Sequence, residues 1–195
     1  RDTGAVNVAF QMPLYPMLDD RDTESSRDNH GQVWNTRRNH LAWRMYLRDM
    51  DRTRLPPYAA PARLTDFSGL PPACSFVGDG EPFYAETVAY FARLRAAGVP
   101  AELDVYHTDV HAFDMMQPDA ALSRQAADTF NRHFAYAREH FFAPQKEEQP
   151  CSVLPGRRRR GRSLPGRSRT LIAPSPPSNR TENSPCPAII SMTGL

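Results

Sequence analysis

Two short stretches carry the side chains best able to do chemistry. Gly78-Asp79-Gly80-Glu81-Pro82 places two carboxylates among glycines, and His107-Thr108-Asp109-Val110-His111-Ala112-Phe113 places two imidazoles further along the chain. An imidazole takes up and returns a proton near neutral pH. A carboxylate on one ring nitrogen fixes its tautomer and stabilises its protonated form, leaving the other nitrogen free to act as a base. Either Glu81 or Asp79 could be that carboxylate. Glu81 also has a structural use, because a negative charge at the start of a helix complements the helix dipole. His107, Asp109, His111 and Asp114 share the short spacing of a metal set, but strand alternation would put His107, Asp109 and His111 on one face only if the strand continued through them. No second ligand pair accompanies them, so no metal and no cofactor is expected.

The elements around these stretches give them a place. Ala73-Cys74-Ser75-Phe76-Val77 reads as a strand ending at Gly78, with Cys74 in the core. Pro82 suits the first turn of a helix that Val88, Phe91, Ala92 and Leu94 carry to a stop at Gly98. Ala101 to His107 alternates as a second strand. Pro118 to Phe142 follows as a helix, with Leu122, Ala126, Phe130, Phe134 and Phe141 near one stripe. Strand, helix, strand, helix implies an α/β fold with a parallel sheet and right-handed crossovers. In such sheets ligands bind at the carboxyl ends of the strands. Both chemical stretches sit at such ends, and neighbouring strands lie about 5 Å apart, so their side chains can meet.

The first part of the chain is less regular. Val8 to Tyr15 is a short apolar run that reads as a buried strand, with Pro13 marking its end or an edge. Residues 19–33 are polar and read as a loop. Residues 35–49 read as a helix capped by Asn35 or Thr36, with Leu41, Met45 and Tyr46 near one face and Trp43 and Leu47 beside it. Trp34, Trp43, Tyr46 and Leu47 could line a substrate pocket, or simply pack that helix on its neighbours. Three prolines keep Leu55 to Ala62 a loop.

Several motifs, in order, then resemble a known family: Tyr15-Pro16-Met17-Leu18-Asp19-Asp20-Arg21, Pro57-Tyr58-Ala59-Ala60-Pro61-Ala62-Arg63, Leu70-Pro71-Pro72-Ala73, Gly78-Asp79-Gly80-Glu81-Pro82-Phe83, Ala97-Gly98-Val99-Pro100 and His111-Ala112-Phe113. Together they are similar to bacterial hormone-sensitive-lipase-like esterases and lipases of the α/β-hydrolase superfamily, over roughly residues 1–142. The resemblance implies a metal-free hydrolase of small carboxylic esters with a serine–acid–histidine triad and a helical cap, here at about 17–62. Glu81 matches the triad acid, more often Asp before Pro in this family, and Asp79 is the rival. His111 matches the triad histidine, and Ala112 stands where the family usually has Gly.

One element of the resemblance is missing. The nucleophile of this family lies in Gly-x-Ser-x-Gly on a strand-to-helix elbow. No two of the ten glycines here are four residues apart, and no His-Gly-Gly run exists for an oxyanion hole. The resemblance implies that both precede the segment matching Arg1, so residues 1–144 are expected to be the C-terminal portion of an α/β-hydrolase domain, inactive alone. A non-catalytic, hydrolase-like module is the alternative. The strand that would pair with Val8 to Tyr15 would then be missing too. That edge is expected to be exposed, an invitation to association with a second copy of the chain as a homodimer.

Composition separates this portion from a tail. Residues 1–144 hold 15 Arg against 19 Asp and Glu, a net charge of −4, whereas residues 145–195 carry eight Arg and one Lys against three Glu, a net of +6. The overall charge of +2 is therefore no sign of a nucleic-acid-binding domain. Pro150 to Leu195 contains eight prolines and the run Arg157-Arg158-Arg159-Arg160, with no aromatic residue after 150, so it is expected to be a disordered arm without a base-stacking platform. No run of about 18 apolar residues is present to form a transmembrane helix. With no leader segment visible, a cytoplasmic location is expected. Three cysteines do not make a disulfide framework.

Overall fold

The computed structural model describes residues 2–145. The arm expected at 145–195 lies almost wholly outside the described residues, as do Cys151 and Cys186. The elements are α1 (Thr36–Tyr46), a 3-10 turn at Arg52–Arg54, another at Pro61–Arg63, β1 (Ala73–Gly78), α2 (Tyr84–Ala96), β2 (Ala101–Tyr106), the short α3 (Phe113–Met116) and α4 (Ala121–His140).

β1 and β2 pair in parallel, with Ala73 opposite Ala101 and Gly78 opposite Tyr106. Every residue of β1 is buried, as expected of a strand covered on both faces. β2 is buried at its two ends, Ala101 and Tyr106, and exposed at Glu102 and Val105. Phe91 and Leu94 of α2 pack with Leu18, Phe67 and Val99 into one core cluster. Phe76 of β1 packs with Tyr106, Phe113 and Ala126 into another. α2 ends in a Schellman motif: Gly98 adopts φ +76°, its N–H donates to the Arg95 carbonyl, and the Val99 N–H donates to the Leu94 carbonyl.

The stretch from Val8 to Tyr15 departs from the expected buried strand. Val8 is 42% exposed, and only Gln11 bridges to β1. The Gln11 N–H donates to Pro72 and the Gln11 carbonyl accepts from Cys74. In parallel pairing the next donor on this segment would be residue 13, which is proline and has no N–H. The ladder stops there, and the Ser75 hydroxyl bonds the Pro13 carbonyl instead.

α1 is capped as expected: the Asn35 side chain accepts from the Arg38 N–H. Its buried face, however, is Asn39, Trp43 and the following Leu47, while Leu41, Met45 and Tyr46 are exposed. Trp43 and Leu47 meet Leu55, Ala59 and Ala60 in a core of their own. One helical turn separates 39, 43 and 47, so this row sets the contact and the apolar residues off it face outward.

Candidate active site

The turn after β1 and the loop after β2 are built to touch. A Cβ at Gly78 would lie 2.5 Å from the Thr108 carbonyl oxygen, and a Cβ at Gly80 would lie 2.8 Å from the Asp109 Cβ. Both positions therefore need glycine for close approach. The Gly80 N–H donates to the Thr108 carbonyl and ties the two connections together.

Glu81 stands in that turn, one of the most buried side chains of the protein. Its Oε1 accepts from the Gly78 N–H at 2.7 Å, which fixes the carboxylate. Its Oε2 lies 2.6 Å from His111 Nδ1. The imidazole side chain is 15% exposed. Three aromatic rings surround it: Tyr15 at 4.8 Å, Phe83 at 5.1 Å and Trp34 at 5.8 Å between centroids. Its Nε2 has no hydrogen-bond partner among the described residues.

Asp79 is engaged elsewhere. It lies 2.8 Å from His107 Nδ1 and accepts from the Thr108 N–H at 3.2 Å. That bond holds the Asp79 carboxyl below the usual range and the His107 imidazole above it. Of the residues with metal-like spacing, the two histidines are thus bound to different carboxylates, His107 to Asp79 and His111 to Glu81. Among the described residues no three His, Cys, Asp or Glu side chains converge as a metal site.

Of the four aromatic and aliphatic residues expected near a substrate pocket, Trp34 reaches the imidazole. Trp43 and Leu47 are packed in the core under α1, and Tyr46 is exposed with its ring edge toward Trp43. The segment holding Trp34 is anchored to the acid turn. Asn29 donates from Nδ2 to the Gly80 carbonyl, and Ser25 Oγ donates to the Pro82 carbonyl while accepting from the Ala85 N–H. Ser75 is buried on β1 with its hydroxyl on Pro13.

The sequence reading did not find Tyr15 or Phe83 as neighbours of the imidazole. Phe83 had a signal, since it follows the acid by two residues in the same turn. Tyr15 is far from His111 in the chain, and only the pairing of Gln11 with β1 brings it there.

Ala112, directly after His111, adopts the left-handed conformation, φ 55° and ψ 41°. It turns the chain from the imidazole into α3, and the N–H groups of Met115 and Met116 both donate to its carbonyl. A residue with a Cβ is strained in this region by about 1 kcal/mol or more.

Residues 1–115 match the sequence profile of a family described as alpha/beta hydrolase fold. The chain is 30% identical over 115 residues to esterase LipI of Mycobacterium tuberculosis, a match covering 58% of this chain and 36% of that protein. It is 34% identical over 129 residues to carboxylesterase NlhH of the same species, covering 62% and 40%. Among solved structures it superposes on esterase LipW from Mycobacterium marinum with a TM-score of 0.63 at 30% identity, covering 67% of this chain and 41% of that one. A bacterial heroin esterase gives 0.62 at 33% identity, covering 71% and 44%. The chain thus spans roughly two fifths of the length of the curated relatives it matches.

Proposed function

The chain belongs to the alpha/beta hydrolase fold family, and from that premise we propose that it is the acid–histidine portion of a carboxylic ester hydrolase acting on small esters. The observation that carries the reading is the 2.6 Å contact between His111 Nδ1 and a fully buried Glu81, with no hydrogen-bond partner for Nε2 among the described residues. A carboxylate held this way keeps the proton on Nδ1, so that Nε2 is the basic nitrogen.

In the proposed reaction a serine hydroxyl attacks the ester carbonyl, and His111 Nε2 takes its proton. The tetrahedral intermediate collapses, the carbon–oxygen bond to the alcohol breaks, and His111 returns the proton to the leaving alcohol. Water then repeats the sequence on the acyl-serine and releases the acid. Glu81 keeps accepting from Nδ1–H and steadies the imidazolium. Trp34 and Phe83 form one wall beside the imidazole and keep it partly dry, which strengthens its bond to Glu81.

The serine is the part these residues do not supply. The sequence has no Gly-x-Ser-x-Gly, and Ser75 is committed to Pro13. The nucleophile and the oxyanion hole are therefore assigned to polypeptide outside the 195 residues. The same absence favours a second reading, a non-catalytic module with a hydrolase-like fold. Reading the coding sequence upstream of Arg1 separates them. An in-frame Gly-x-Ser-x-Gly supports the hydrolase, and an in-frame stop codon supports the module.

A further inference from the structure

Two residues other than glycine have positive φ among the described residues, and both adjoin the imidazole. One is Ala112, next to it in sequence. The other is Tyr15, with φ 33°. For a bulky aromatic residue this conformation is an outlier that surrounding contacts must hold in place. Tyr15 is also followed by Pro16, which restricts its backbone further.

The contacts that hold it are specific. The Tyr15 ring packs edge-on against His111, with centroids 4.8 Å apart and planes at 74°. It packs edge-on against Phe76 of β1, with centroids 5.7 Å apart. Its hydroxyl donates to Met115 Sδ at 3.3 Å and lies beside the Asp114 carboxyl. Asp114 Oδ1 is buried with no partner among the described residues. Tyr15 therefore spans the loop, with its ring on His111 and its hydroxyl on residues just beyond. Burial and the nearby Asp114 push its hydroxyl up to about 12, so it remains a neutral donor.

We propose that Tyr15 is a positioning residue, whose ring edge, tethered through its hydroxyl to Met115, holds the His111 imidazole in the rotamer bonded to Glu81. An imidazole bonded at one nitrogen can swing about its Cβ–Cγ bond, and a single hydrogen bond is a modest restraint. Phe83 and Trp34 also contact the ring, but neither has a positive φ. The strain at Tyr15 is maintained where it delivers a ring to the base. This inference rests on the reading of His111 as that base.

The test is nuclear magnetic resonance of the 195-residue chain labelled with nitrogen-15 histidine, following exchange of the His111 Nδ1 proton with water. In the unsubstituted chain a slowly exchanging, low-field Nδ1 proton is expected, and it should vanish in Glu81→Ala. Tyr15→Phe keeps the ring edge and loses the tether, so exchange is expected about fivefold faster, the factor for one lost hydrogen bond. Tyr15→Leu is expected to lose the signal while the backbone amide spectrum remains that of the folded chain. A merely structural role would lower the melting temperature and leave this proton unchanged. Unchanged exchange in Tyr15→Phe and Tyr15→Leu, or in Tyr15→Phe alone if the leucine variant does not fold, would overturn the proposal and leave the reading of His111 standing. Absence of the proton from the unsubstituted chain would overturn both.

Discussion

His111 Nδ1 and Glu81 Oε2 lie 2.6 Å apart, and the other oxygen of the same carboxylate is held at 2.7 Å by the Gly78 N–H. The acid is thus fastened to the end of β1 before it meets the histidine from the end of β2. Removing it strands two groups at once. Glu81→Ala is expected to lower stability by about 2 kcal/mol, since it leaves the Gly78 N–H and the imidazole unpaired in a buried place. Glu81→Gln keeps the shape and the bond from Gly78 and is expected to cost less. Urea denaturation of both variants checks the order, and equal losses would remove the paired role of the carboxylate.

Gly78→Ala is expected to destabilise by about 2 kcal/mol or more, because the new Cβ meets the Thr108 backbone carbonyl at 2.5 Å and the Glu81 Cγ at 3.1 Å. The first neighbour is backbone and cannot turn aside. The same denaturation measurement applies, and a variant as stable as the parent would show that the turn is looser than its contacts require.

At Ala112 the direction is opposite. With φ 55°, replacement by glycine removes the Cβ penalty, and Ala112→Gly is expected to stabilise by about 1 kcal/mol. The reading is a higher urea midpoint with an unchanged slope. A lower midpoint would mean that the alanine methyl packs usefully.

Glu86 predicts a dependence on pH. It is buried in α2, its Oε1 accepts from the Leu18 N–H at 2.6 Å, and its Oε2 has no partner among the described residues. Burial raises its carboxyl from 4.5 to about 8. The folded state therefore binds a proton that the unfolded state has released between those values. Its contribution to stability is full below about 4.5 and is lost as pH rises through about 8. Glu86→Gln should remove this component, so the melting temperature of the parent should fall relative to the variant across that window. Parallel curves would contradict the assignment.

The sequence marks some of this plainly and hides the rest. β1, α2 and β2 follow from periodicity and from the stop at Gly98, because a buried parallel strand and its crossover helix leave strong local patterns. The two strand ends that carry Glu81 and His111 follow from position, but the choice of these two over Asp79 and His107 comes from the family resemblance. The burial of α1 does not. Asn39 lies in the buried row and the apolar Leu41 and Met45 lie outside it, so hydrophobicity alone selects the wrong face. The segment around Gln11 looks like a strand by composition, but one missing N–H at Pro13 ends its ladder. Tyr15 could not be placed at all, since its position depends on that long-range bridge and on an uncommon backbone conformation that no local pattern announces.

Hydrolysis of a short acyl nitrophenyl ester tests the account most directly, with residues 2–144 replacing the matching C-terminal portion of an active relative such as carboxylesterase NlhH. The 195-residue chain alone is expected to show no turnover above its His111→Ala variant. The chimera is expected to hydrolyse the ester and to lose at least about a hundredfold in rate on His111→Ala, the scale of a general acid–base contribution. A folded chimera that stays inactive, or one whose activity survives His111→Ala, would contradict the assignment of His111 and Glu81 as the acid–base half of an ester hydrolase.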